Sequence, residues 1–150
     1  MIIDFSQIKI AVNNFLKEKF PEIPVKAQDI TKGFERPSFS TVIEQPILIT
    51  TENQLETSCT VVVYFFPEYE DNEKSLNVLD MEWKMPLLFG NKLLVANRAL
   101  NINEPSANVV DGILVFQFEI LFYQASDSQF SSHNPNAELM QELDFNYKRK

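Results

Sequence analysis

The chain has 150 residues, of which 45% are hydrophobic and 12% aromatic, and these values are typical of one folded domain with its own hydrophobic core. Its formal net charge of −8 argues against a protein that coats nucleic acid or binds anionic lipid, because both functions need clustered Lys and Arg. The single cysteine, Cys59, excludes a disulfide within the chain and suits a reducing compartment such as a cytoplasm.

Residues 4–19 are predicted to form an amphipathic helix that ends before Pro21. Asp4 or Ser6 can cap its N-terminus, because a side-chain oxygen at that position accepts a hydrogen bond from the first turn. The apolar residues recur at the spacing that places them on one buried face of a helix: Ile8, Ala11, Val12, Phe15 and Leu16.

Three strands are predicted in the next part of the chain. A short strand covers residues 25–30, and the Lys32–Pro37 loop connects it to a second strand over residues 38–44. Pro46 predicts a sheet edge or an interruption after that strand, because proline cannot donate a backbone hydrogen bond. Residues 57–66 are β-branched and aromatic and predict a third strand with both faces covered.

A second helix is predicted over residues 72–85, between an acidic turn and Pro86. Asp71 or Asn72 can serve as its N-cap. Trp83 is assigned to the core, because it belongs to an apolar stripe at helical spacing. The stripe and the residues that widen it are Leu76, Leu79 and Trp83, with Val78, Met81 and Met85.

The C-terminal half is predicted to form two antiparallel strands, over residues 92–103 and 108–124, joined by a turn at residues 104–107. The second strand gives the strongest signal in the sequence, because large apolar residues occupy every second position: Leu114, Phe116, Phe118, Ile120 and Phe122. Within it, Asp111-Gly112 is interpreted as a bulge or bend rather than a hairpin turn.

The order of these elements predicts an α+β fold, in which an antiparallel or mixed sheet carries both helices on one face. One domain is expected over residues 1–150, with residues 125–150 partly extended or flexible. Residues 125–136 predict a polar loop, and residues 137–147 are ambiguous between a helix and a strand.

No pattern of catalytic, cofactor-binding or metal-binding residues is recognisable in the sequence. His133 lies in a polar loop without a recognisable Ser and Asp partner, and Cys59 lies between apolar neighbours in the middle of a strand. The acidic turn at Glu68–Glu73 does not match a calcium loop, since Leu76 stands where such a loop needs Gly. Composition and periodicity therefore describe a domain without identifying its function.

Four short segments carry a resemblance to a known family: Phe20-Pro21-Glu22-Ile23-Pro24-Val25, Gly33-Phe34-Glu35-Arg36-Pro37-Ser38-Phe39, Tyr64-Phe65-Phe66-Pro67 and Val110-Asp111-Gly112-Ile113-Leu114-Val115-Phe116. Together with the N-terminal helix, they resemble the small tail-terminator (tail-completion) proteins of phages and defective prophages of Gram-positive bacteria. The resemblance covers most of residues 1–124.

The resemblance implies a structural protein, not an enzyme, that forms a ring on the head-proximal end of the tail tube. The ring, expected to be a hexamer, stops tube growth and offers a joining surface to the head or neck. The implied partners are other copies of the chain, the tail tube protein, a head or neck connector protein, and DNA that passes without specific binding. No cofactor and no membrane are expected, and the location is the host cytoplasm during assembly and then the virion tail. The N-terminal residues also lack the basic region of a secretory signal.

A ring needs two different contact surfaces on each subunit. The candidate contacts in the loop before the second strand are Lys32, Phe34, Glu35 and Arg36, although the loop also fits a plain connection. The other candidates are Gln117 and Glu119, on the odd-numbered face of the long strand, where their neighbours are apolar. The alternatives are another tail or neck component, such as a head-completion or tube protein, or a small bacterial ligand-binding module.

Overall fold

The computed structural model describes residues 2–26, 36–68 and 76–126, which form two helices, a mixed five-stranded sheet and a small two-stranded sheet. This is the predicted α+β class. In chain order the elements are α1 (Phe5–Lys19), β1 (Val25–Lys26), β2 (Ser38–Thr50), β3 (Gln54–Phe66), α2 (Leu76–Phe89), β4 (Lys92–Val95), β5 (Arg98–Asn101), β6 (Asn103–Val110) and β7 (Ile113–Ala125). Neither described helix is long and apolar enough to cross a membrane.

The large sheet has the strand order β1-β2-β3-β7-β6, in which β1 runs parallel to β2 and all other neighbours are antiparallel. The two longest pairings, β2 with β3 and β3 with β7, place β3 at the centre. From Val61 to Phe66 the residues of β3 are buried or half-buried on both faces, as its β-branched and aromatic sequence predicts.

Both helices pack on one face of this sheet, as predicted. The alternate residues of β7 from Leu114 to Phe122 are all buried on that face. The aromatic ring of Phe89 in α2 joins the layers, because its centroid lies 4.2 Å from that of Phe15 in α1 and 5.3 Å from that of Phe116 in β7. Such ring pairs add to the free energy gained from apolar burial.

The N-terminal helix has the predicted bounds, and Asp4 is its N-cap. The Asp4 side chain accepts a hydrogen bond from the backbone of Gln7, and the Gln7 side chain accepts one from the backbone of Asp4. This reciprocal pair is a capping box, which satisfies two backbone donors that the first turn leaves free. The side chain of Gln124 fixes the residues before the helix. Its Oε1 accepts a hydrogen bond from the Ile3 N–H, and its Nε2 donates one to the Ile3 carbonyl, both at 2.9 Å.

The prediction that Pro86 ends the second helix is wrong. The helix continues through Pro86 to Phe89 and closes at Gly90, whose N–H donates to the Pro86 carbonyl at 3.0 Å. Gly90 has a φ of +67°, a left-handed conformation that glycine adopts without a steric penalty. Proline costs this helix one backbone hydrogen bond near its end. The helix tolerates this loss because it packs against the sheet. The predicted start at residue 72 lies outside the described residues.

Two predicted strands are hairpins instead. Residues 92–103 turn back at Ala96 and Asn97, both with positive φ, so that β4 pairs with β5. Asp111 and Gly112 also have positive φ and join β6 to β7, so the interpretation of Asp111-Gly112 as a bulge was wrong. Two successive positive φ values form the turn whose twist matches two antiparallel strands. The predicted turn at 104–107 is part of β6.

The second strand extends beyond its predicted end, from Ser38 to Thr50, and passes through Pro46. Gln45 and Pro46 together stand opposite the single residue Cys59, which is a β-bulge. Because β1 pairs only with Phe39 and Ser40, the described part of β2 beyond them is an edge strand. An edge position tolerates proline, so the predicted edge at Pro46 is confirmed, whereas the strand continues through Pro46 with a bulge and is not interrupted.

Candidate assembly surfaces

The described residues include no cluster that suggests catalysis. Cys59 is buried in β3, and this burial raises the pKa of its thiol to about 11. The thiol is therefore protonated near neutral pH, which disfavours a role as a nucleophile. No group of three or more His, Cys, Asp or Glu residues in the described ranges could hold a metal ion. His133 and residues 69–75 of the acidic turn lie outside those ranges.

Of the loop candidates, Lys32, Phe34 and Glu35 lie outside the described residues, and Arg36 is described. The Arg36 side chain contacts its own chain. Its Nη1 donates to the Pro67 carbonyl at 3.2 Å, and its guanidinium lies 5.7 Å from the centroid of the Phe66 ring. These contacts fix the loop's C-terminal end to the end of β3, while a contact of Arg36 with a partner stays a prediction.

Gln117 and Glu119 are exposed on the face of the sheet that points away from the helices. Gln117 stands opposite Val62 of β3, and Glu119 stands opposite Thr60. Further along this second face, toward the end of β7, Leu121 and Tyr123 are also exposed. The structure thus brings Gln117 and Glu119 together beside apolar residues, as the alternation predicts, although no partner contact tests their role.

The outward side of α2 is the first exposed apolar surface that the sequence analysis missed. Trp83 is 70% exposed, so its assignment to the core was wrong. Trp83 and Met85 are separated by about 200° around the helix, and Met85 is the one that faces the core. We call the exposed row the α2 stripe: Leu76, Leu79, Trp83 and Leu87. Helical spacing predicts Leu76, Leu79 and Trp83 as one row, but periodicity alone does not say which of two apolar sides is covered, and Leu87 lies beyond the predicted end of the helix.

The second surface is the outer end of β2. After the bulge, Ile47, Leu48 and Ile49 are three consecutive exposed aliphatic residues on an edge strand. Ile47 and Ile49 lie on the second face with Ser58 and Glu56 of β3, whereas Leu48 points to the opposite side with Thr57. We call Ile47–Thr50 the β2 edge segment. Natural proteins usually protect such an edge with charges, so an apolar one indicates a contact with another protein.

The third surface is a groove between α1 and the region around β4, with a volume of about 630 Å³. We call it the α1–β4 groove. Its exposed apolar residues are Ile10 from α1, Leu88 from α2 and Leu94 from β4. Two lysines also line it, Lys19 and Lys92, beside one acid, Glu18. The groove joins parts of the chain that are about 80 residues apart, so local sequence patterns do not reveal it.

A family model described as phage tail terminator protein matches residues 7–132, which is most of the chain. The chain belongs to the phage tail terminator family. Tail terminators are structural proteins of the phage tail, so this member is a structural component of a tail and its family is not an enzyme family. The resemblance stated from the sequence is confirmed at this level.

None of the curated proteins matches the sequence of this tail terminator. One solved structure aligns with 84% of the tail terminator and 98% of its own chain, at 13% sequence identity and a TM-score of 0.44.

Proposed function

We propose that this tail terminator assembles as a ring, expected to be a hexamer, on the head-proximal end of the tail tube. There it stops tube polymerisation and presents the joining surface for a head or neck connector protein. The observation that carries the proposal is the family match over residues 7–132. In this proposal the protein works in the cytoplasm of a bacterial host, Gram-positive by the sequence resemblance, and then remains in the tail of a phage or prophage particle.

The exposed apolar surfaces support an assembling protein. The α2 stripe, the β2 edge segment and the α1–β4 groove lie on different elements, and each exposes large aliphatic or aromatic side chains. Contiguous apolar patches are uncommon on soluble monomers and mark contacts with other proteins. Several separate contact surfaces are what a ring subunit needs, since it contacts two neighbours, the tube and the neck.

The charge of the chain is compatible with a ring around a DNA channel. A formal net charge of −8 disfavours tight binding of phosphate groups, so DNA can pass through such a ring without being held. The same charge keeps free subunits soluble before they assemble.

The proposal is tested with purified tail terminator and the tube protein of the same phage. The terminator is added to polymerising tubes, and tube lengths and the position of the labelled terminator are measured by electron microscopy. We expect shorter tubes, each with the label at one end, and ring-sized particles in absolute-mass measurements over a range of concentrations. Tubes that grow unchanged would contradict the proposal. Label along the whole tube would instead identify a tube protein.

A matched control separates capping from general inhibition. The same experiment with a tube protein from an unrelated phage should leave the tube lengths unchanged, because ring and tube surfaces must be complementary. A strict monomer that binds a small molecule, and does not bind tubes, would favour the alternative of a ligand-binding module.

A further inference from the structure

We propose that the β2 edge segment of one subunit docks in the α1–β4 groove of the next subunit. Each copy then uses one surface on one side and the other surface on the opposite side, which is the head-to-tail contact that closes a ring. The inference rests on the proposed ring function and names the surfaces that build the ring.

Both surfaces present exposed aliphatic side chains. Leu48 is 53% exposed at the edge of β2, and Ile47 and Ile49 flank it on the opposite side of the strand. In the groove, Leu94 is 67% exposed and lies with Ile10 and Leu88. An edge strand with apolar residues on both sides is buried more completely in a groove than on a flat surface, so this shape suits the groove.

The groove is longer than the segment that it is proposed to hold. The residues of α1 that line the groove run from Gln7 to Lys19, a span of about 18 Å at the rise of an α-helix. The β2 edge segment, Ile47–Thr50, spans about 10 Å at the rise of a strand. The groove therefore holds the segment together with part of the adjoining turn.

The charges that surround the edge segment are complementary to those of the groove. Residues 38–66, which form β2, β3 and their turn, contain Glu44, Glu52 and Glu56 and no Lys or Arg. The groove has two lysines against one glutamate, which is a local positive balance on a chain with a net charge of −8. Opposite charges favour this pairing, whereas two acidic β2 edges repel each other. The complementarity therefore favours a head-to-tail contact over a symmetric dimer through β2.

The backbone groups of the edge segment can pair with a polar side chain of the groove. Thr51 donates to the Gln54 carbonyl across the turn at 2.8 Å. The alternation of an antiparallel pair then turns the backbone groups of Leu48 and Thr50 away from β3. Among the groove residues, Asn14 offers both a donor and an acceptor for these groups.

Two variants, each with one surface disrupted, test the proposal under the conditions in which the wild type assembles. Leu48→Asp disrupts the edge segment and leaves the groove intact, and Leu94→Asp does the reverse. Neither variant alone should form rings, with the association constant reduced at least about tenfold. Mixed together, they should form a 1:1 dimer and nothing larger, because only one intact edge and one intact groove meet. Absolute mass by light scattering gives both results.

The matched control is Val110→Asp, since Val110 is 55% exposed on a strand and belongs to neither surface. It should assemble like the wild type, and all three variants should give a native circular dichroism spectrum. Normal ring assembly by Leu94→Asp would overturn the proposal, and so would a mixture that gives no dimer. A defect in Leu48→Asp alone would indicate symmetric pairing of β2 edges. A wild type that neither forms rings nor stops tubes would contradict the proposed function instead.

Charge reversal gives an independent test. Lys19→Glu with Lys92→Glu should weaken ring assembly about two- to fivefold, since exposed ion pairs contribute little each. Adding Glu44→Lys and Glu52→Lys to the same chain should restore assembly. If the variant with all four substitutions assembles no better than the variant with two, the lysines do not face the glutamates of β2 and its turn. That result would overturn the proposed pairing.

Discussion

The two helices pack on the same face of the sheet, yet their outward sides differ. In α1, Ile10 is the only large apolar residue among those that are exposed, and it lines the groove. In α2, most of the exposed residues are large and apolar, including Trp83 and Leu87. Water suits the outward side of α1, whereas burial of the outward side of α2 would gain free energy. The comparison therefore separates residues that fold this tail terminator from residues that are available for its assembly.

The largest expected effect comes from the inward side of α2. Phe89→Ala should reduce the free energy of unfolding by about 3–5 kcal/mol, because it leaves a cavity beside Phe15, Phe116 and Phe118. Denaturant unfolding of the purified protein measures the change. On α1, Leu16→Ala should cost about 2–5 kcal/mol, since Leu16 is fully buried. An unchanged midpoint for either variant would show that the inward sides do not form the core.

A smaller effect is expected where the chain enters α1. Gln124→Ala should reduce the free energy of unfolding by about 1–3 kcal/mol, because the N–H and C=O of Ile3 lose their buried partner. The hydrogen bond from Gln124 to the Thr57 hydroxyl, at 3.3 Å, is lost as well. Hydrogen exchange should also become faster at Ile3 and in the first turn of α1. Exchange rates that stay at wild-type values would mean that Gln124 does not hold this segment.

The cap of α1 should contribute less again. Asp4→Ala should reduce the free energy of unfolding by about 1 kcal/mol, because the Gln7 N–H loses its acceptor at 2.9 Å. Ser6→Ala is the matched control, since Ser6 is exposed within the same first turn and should change stability little. A larger loss of unfolding free energy for Ser6→Ala than for Asp4→Ala would identify Ser6 as the N-cap instead.

The smallest effect on stability is expected on the outward side of α2. Trp83→Ser should change the free energy of unfolding by no more than about 0.5 kcal/mol, because the indole of a single copy is 70% exposed. Trp83 is also the only tryptophan beside four tyrosines, so fluorescence excited at a wavelength that tyrosine does not absorb reports on Trp83 alone. Unassembled protein should show the long-wavelength emission of an indole in water. A short-wavelength emission, or a large loss of stability in Trp83→Ser, would show that Trp83 is buried like the inward residues of α2.

The sequence correctly predicts the helices and strands that have one apolar side and one polar side. The spacing of Ile8, Val12 and Leu16 predicts α1 because only one side of that helix is apolar. Strict alternation predicts β7 because its two faces differ. By contrast, α2 is apolar on two sides, so its periodicity could not distinguish Met85 from Trp83. The wrong assignment of Trp83 arose there.

The turns show a second limit. Asp111-Gly112 carries a strong hairpin signal, and the error was to weigh the length of the strand above that signal. The turn at Ala96 had no comparable signal, since alanine rarely adopts positive φ. The assembly surfaces were largely beyond the sequence, because the α1–β4 groove exists only after β4 packs against a helix far away in the chain.

The bond between Ile3 and Gln124 joins residues that are 121 positions apart. During synthesis on the ribosome, the sheet lacks β7 until nearly all of the described chain has emerged, and β3 has no neighbour on that side until then. We therefore expect native structure to appear late and cooperatively, since such distant pairings form slowly. A nascent chain that is stalled before residue 113 should resemble an unfolded protein, and only released chains should be available to build a tail.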